Sequence, residues 1–173
     1  MPAERNTPLI VTSSKGHGKK LFLVQWMQYH LKHSVKEFSD VIVPSFVTAS
    51  SDEATPDYLI YRMVIKLRQI FSVKHKVDLL EEKLRINFLN WLDIVSRKIK
   101  KVTYFDGDLV LVIEGADLIT EKDKHIENSM KFWIPRTLPD RVRIIIALDN
   151  ESYNIEHFRS LGCTFIDVES NAS

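Results

Sequence analysis

The chain has 173 residues, with 24 Lys and Arg against 23 Asp and Glu and a formal net charge of +1. Hydrophobic residues make up 45% and charged residues 27%, which suits one domain with its own core and argues against nucleic acid or a charged membrane as a partner drawn by overall charge. Cys163 is the only cysteine, so no intramolecular disulfide is possible, as suits a reducing, cytoplasmic setting, and no apolar run reaches the length of about 18 residues that a membrane span needs.

Leu9-Ile10-Val11 reads as a first short strand. It begins within ten residues of Met1, which leads to the expectation that residues 1–173 form a single domain excised from a longer protein. The strand runs into Ser13-Ser14-Lys15-Gly16-His17-Gly18-Lys19-Lys20, a Gly- and Lys-rich loop that opens a helix. Lys19–Lys32 carries two apolar stripes, Leu21, Val24, Met27 and Leu31 on one side and Phe22, Trp26 and Tyr29 on another. Apolar residues around so much of the circumference predict a helix buried between layers. Asp40–Thr48 reads as a second strand, and Pro44, which has no N–H to give a ladder, places it at an edge or on a bulge.

After the polar stretch Ala49–Ala54, Thr55 and Pro56 supply an N-cap and a first helical residue. That helix spaces Leu59, Met63, Leu67 and Ile70 along one face. A longer helix follows, from about Leu79 to Lys100, opened by Asp78 and Glu81 in a capping-box pattern and striped by Leu80, Leu84, Phe88, Trp91, Val95 and Ile99. Its aromatics read as core packing. The basic run Arg97–Lys101 falls at its C-terminal end, where cations complement the helix dipole, a better account than an RNA or lipid patch.

Phe105–Asp108 reads as a turn, and Leu109–Ile113 as a strand buried on both faces. It ends in Glu114-Gly115-Ala116-Asp117. A short helix about Ile126–Trp133, a strand over Arg141–Leu148, a helix near Ile155–Leu161 and a last strand from Cys163 complete the order. Cys163 reads as a small packed thiol, not a nucleophile. Strands alternating with helices predict an α/β three-layer fold: a five-stranded, mainly parallel sheet with Leu9–Val11, Leu109–Ile113 and Arg143–Ala147 at its centre.

The loop matches the phosphate-binding pattern G-x-x-x-x-G-K-[ST] at Gly18 and Lys19. In such a loop, backbone N–H groups and the helix N-terminus hold phosphate oxygens, and the lysine reaches the β- and γ-phosphates. Gly16, His17, Gly18, Lys19, Lys20 and Leu21 are therefore the candidate phosphate-binding residues. Glu114, at the tip of the apolar strand, stands where an acid would hold Mg²⁺, and Asp117 is placed to polarise an attacking water. A strand end and a helix cap are the structural roles open to the same two acids. Ser13 replaces the first Gly of the pattern, and Lys20 replaces the hydroxyl that binds Mg²⁺.

With these residues in place, the chain resembles the NACHT-like P-loop domains of the STAND class of NTPases, in the branch found in nephrocystin-like and other TPR- or WD-repeat proteins. Thr7–Val11 with the Gly-Lys loop resembles their first strand and Walker A. Val43–Ser51 resembles their P-H-F-V-G-x-S strand, with Ser45 where His is common, and Val112–Asp117 resembles their Walker B, D-G-x-D, with Glu114 for Asp. Trp133–Pro139 resembles their W-L-P-x-x-L-P lead into the sensor strand, and Leu161-Gly162-Cys163 their R-G-C. The match runs from about Pro8 to Val168. It implies a nucleotide-binding switch or scaffold, taking ATP or ADP, with protein partners bound through adjoining repeat domains. The departures at Ser13, Lys20, Glu114 and Asp149, acidic where a polar or basic sensor would face phosphate, imply weak or absent hydrolysis. The alternatives are a pseudo-NTPase that binds proteins and no nucleotide, an active Mg²⁺-dependent ATPase, and a small-molecule or nucleotide kinase on the same fold. The segment Leu118–Lys131, rich in Lys and Glu and without Arg, counts against the kinase.

Overall fold

The structure, a computed structural model, describes residues 6–33, 40–48, 55–74, 81–101, 107–123 and 130–169. Its elements in chain order are β1 (Leu9–Ser13), α1 (Lys19–His33), β2 (Val41–Phe46), α2 (Pro56–Ile70), α3 (Glu81–Lys101), β3 (Leu109–Glu114), α4 (Ala116–Asp123), a 3-10 turn (Met130–Phe132), β4 (Val142–Asp149), α5 (Asn154–Ser160) and β5 (Thr164–Asp167). The five strands form one sheet in the order β2-β3-β4-β1-β5, with every pairing parallel. The expected α/β layering is present, and the three strands expected at the centre are the three inner ones.

The apolar runs explain the arrangement. In β3, five of the six residues are buried, because helices pack on both sheet faces. Alternate side chains go to opposite faces. Leu109, Leu111 and Ile113 join a large core with Leu67, Phe88, Trp91 and Phe158, from α2, α3 and α5. Val110 and Val112 join a smaller one with Leu23 and Met27 of α1. Pro44 lies on β2, an edge strand as expected, and β2 pairs residue for residue with β3 without a bulge.

The long-helix stripe holds where it is described: Leu84, Phe88, Trp91, Val95 and Ile99 are all buried. Leu80 and Asp78, and with Asp78 the capping box, lie outside the described residues, as do the loop Ala49–Ala54, Phe105 and Asp106 of the turn, and Ile126–Ser129 of the short helix. Thr55 caps α2 by accepting the Tyr58 amide at 3.3 Å, with Pro56 first in the helix. Leu59, Met63 and Leu67 are buried, but Ile70, at the helix end, is exposed. The basic run ends α3 as expected and is tied locally, Arg97 to Asp93, Lys98 to the Ser72 carbonyl at 2.8 Å and Lys100 to Asp140 at 2.6 Å.

Helix α1 departs from its expectation. Only Lys19, Leu23 and Met27 are buried, while Leu21, Tyr29 and Leu31 are exposed. The sheet face beneath is lined by the smaller core, to which α1 alone of the described helices contributes, so the outer side of α1 has no described layer above it. Helix α4, eight residues long, has no apolar periodicity that announces it in the sequence. Cys163 is half-buried just before β5, and burial pushes its thiol up, away from a reactive thiolate.

Candidate functional site

The strand registers bring the chemistry together. Ser13 pairs with Asp149 and Phe46 with Glu114, so β1 ends level with β4 and β2 with β3; Ile113 pairs with Ile146, so β4 and β1 reach two residues further along the same carboxyl edge. Open α/β sheets bind ligands at that edge. Between β1 and α1 the loop turns through Gly16 and Gly18, both at φ +83°, a conformation that side-chain-bearing residues rarely adopt. A Cβ at either position would meet nothing within 4 Å, so the backbone there stands open to an approaching ligand.

A cavity of about 600 Å³ lies over this edge, within the usual range for small-molecule sites. Gly16, His17, Gly18, Lys19, Lys20 and Leu21 line it, and so do Glu114 and Asp117. The eight candidate site residues therefore face one space, and Gly18 and Glu114 are at the same end of the sheet. The first turn of α1 carries no acid, which leaves the positive end of its dipole uncompensated by its own side chains.

Lys15 and Lys20 are exposed, whereas Lys19 is drawn below the surface. Its ammonium donates to the Ser13 carbonyl and hydroxyl oxygens, each at 3.3 Å, and pairs with the Asp149 carboxylate. Lys20 keeps to the β2 side of the cavity: its Nζ lies 5.6 Å from the centre of the Phe46 ring, a cation–π contact.

The three acids differ in setting. Burial pushes the Glu114 carboxyl above the usual carboxylate range; Lys20 and Lys19 offset the rise and Asp149 adds to it. Asp117 is buried, and its two oxygens accept the Asp149 amide at 2.7 Å and the Ser152 hydroxyl at 2.6 Å. It thus clasps the turn that follows β4. Asp149 contributes its carboxylate to Lys19 and its N–H to Asp117. Gly115, at φ +78°, lets this chain pass under β2: a Cβ there would overlap the Val47 carbonyl oxygen, and the Val47 amide already donates to the Glu114 carbonyl at 2.9 Å.

Some partners had no signal in the sequence. Glu169, just past β5, accepts the Ser14 amide at 2.8 Å and the Ser14 hydroxyl at 3.1 Å, and these bonds hold its carboxyl below the usual range. Ser152 and Glu169 are ordinary polar residues in their own neighbourhoods. Only the sheet order brings them to the loop.

No family model matches the chain. The chain is similar to nephrocystin-3 of Xenopus tropicalis and of Mus musculus, at 27% identity over 146 and 147 residues, and to nephrocystin-3 of Homo sapiens, at 28% over 146 residues. In each case the match takes in 84% of this chain, and the chain spans about 10% of the length of the relative, so the kinship is with one stretch of a far longer protein.

Proposed function

We propose that this chain is a nucleotide-binding P-loop module that works as a switch or scaffold and turns over little or no nucleotide. The observation that carries the reading is a buried lysine at the carboxyl edge of a parallel sheet, in a cavity lined by an open glycine loop and an acid-free helix N-terminus. The residues fit the phosphates of ATP or ADP. They do not fit Mg²⁺ in the usual way. Lys20 offers no oxygen where the metal would take a hydroxyl, and its positive charge acts on Glu114, the carboxyl that would have to hold the ion. Asp117, expected to polarise water, has both oxygens engaged with the end of β4. These features support slow hydrolysis. The STAND-like motifs and the similarity to nephrocystin-3 support a role in assembly, with protein partners bound through repeats elsewhere in a longer protein.

A titration with ATP and ADP, in Mg²⁺ and in EDTA, beside a phosphate-release assay, tests this reading. Binding is expected in EDTA, with little or no phosphate release. Lys19→Ala should weaken binding by roughly 10- to 100-fold, the worth of a hydrogen bond to a charged group. Lys20→Ser, which restores the metal's hydroxyl, should make binding Mg²⁺-dependent. Robust Mg²⁺-dependent hydrolysis lost in Glu114→Gln would show an active ATPase instead. A second reading, a pseudo-NTPase that binds only proteins, is favoured by one observation: Lys19 is already neutralised from within by Asp149. Absence of binding in both buffers would establish it.

A further inference from the structure

The partner of Lys19 is fixed by architecture. Parallel pairing of β1 with β4 sets Ser13 beside Asp149, and Lys19 reaches back over Ser13 to meet that carboxylate. Asp149 is held from behind. Its amide donates to Asp117, the Ser152 hydroxyl donates to the other Asp117 oxygen, and the Asn150 amide donates to the Ser13 carbonyl at 3.0 Å. The carboxylate is thus a preset group that lines the cavity along with the lysine it neutralises.

We propose that Asp149 is a specificity-determining residue of this site, an internal counter-ion standing where the outermost phosphate of a nucleotide would lie, so that the site favours a nucleoside diphosphate over a triphosphate. The inference rests on the nucleotide reading given above. A P-loop lysine serves the β- and γ-phosphates, while loop amides and the helix N-terminus also hold the inner phosphates. A β-phosphate can therefore be bound on the loop with the Lys19–Asp149 pair intact or merely shared. A γ-phosphate gains its place only by displacing Asp149 from Lys19 or by lying against it as a second negative charge. Of the lysines that line the cavity, only Lys19 is paired with Asp149; Lys20 lies by the Phe46 ring, and its charge acts on Glu114, the third acid of the rim shared by Asp117 and Asp149.

The experiment is a calorimetric titration of ATP and of ADP, in EDTA, into the full chain and its Asp149→Asn and Asp149→Ser variants, with circular dichroism and thermal melting to confirm folding. ADP is expected to bind the unmodified chain more tightly than ATP. Removing the charge should tighten ATP by about tenfold and ADP by less than about threefold, because close like charges are worth at least that factor at a partly solvated site. An ATP-to-ADP affinity ratio that is the same in the folded variants and the unmodified chain would overturn the proposal, and so would tighter binding of ATP by the unmodified chain. If all three folded proteins ignore both nucleotides, the nucleotide reading itself fails and Asp149 with it, a result distinct from an unchanged ratio. Should both variants fail to fold, the ratio in the unmodified chain still decides: ADP tighter supports the proposal, ATP tighter or equal overturns it.

Discussion

Glu114 shows how a single residue in this site is balanced. Two lysines favour its charge, yet burial prevails and raises its proton affinity. A carboxyl whose pKa is higher in the folded chain than in the unfolded one binds more protons when folded. Its contribution to stability is then complete below about pH 4.5, the group's ordinary value, and is lost as pH rises through the elevated one. Glu114→Gln removes the titrating group, so the variant should gain on the unmodified chain as pH rises, with a melting-temperature advantage larger at pH 7 than at pH 4. An advantage independent of pH would contradict this. Much of the candidate site's placement was legible at this scale. Gly18, Lys19 and Glu114 carry local patterns, a loop before a helix and an acid at a strand tip, and the chain folds them into one cavity. The Lys19–Asp149 and Ser14–Glu169 contacts were not legible, because their partners are 130 and 155 residues apart in sequence and meet only through strand order.

Among the elements, the β3–α4 junction leaves no room for a side chain. Gly115 has a left-handed backbone and no room for a Cβ beneath Val47. Gly115→Ala should cost about 1–3 kcal/mol, from the strained backbone and the displaced end of β2 together. Urea denaturation would read it as a lower midpoint with an unchanged slope. An unshifted midpoint would mean that β2 yields freely. The helices teach a different lesson. The stripe of α3 was readable because its polar and apolar faces separate cleanly, and all its described members are buried. In α1 the apolar residues run round the helix, and such breadth predicts two-sided burial. Periodicity reports which side chains are apolar; it carries no information on whether a second layer covers them. Leu21, Tyr29 and Leu31 stand exposed for that reason.

At the scale of the whole molecule, the fold was the most legible part. Unbroken apolar strands alternating with amphipathic helices leave few arrangements other than a parallel sheet between helices. What the pattern did not convey is the asymmetry of the layers. The larger core packs α2, α3, α4 and α5 on one face, and the smaller core has α1 on the other.

That asymmetry gives the molecule an optical probe of its own. Of its three indoles, those of Trp91 and Trp133 are enclosed in the larger core, at 4% and 2% exposure. Trp26 is half-buried on α1, its ring stacked on His30 at 5.3 Å. Emission should therefore resolve into two populations, a blue, unquenchable one and a red one that acrylamide reaches. Trp26→Phe should abolish the second and leave the first. Because Trp26 rides on the helix that begins at Lys19, its quenching gives a label-free signal from the loop's own helix, and any molecule that comes to lie against the exposed part of its ring would darken or shield that one fluorophore.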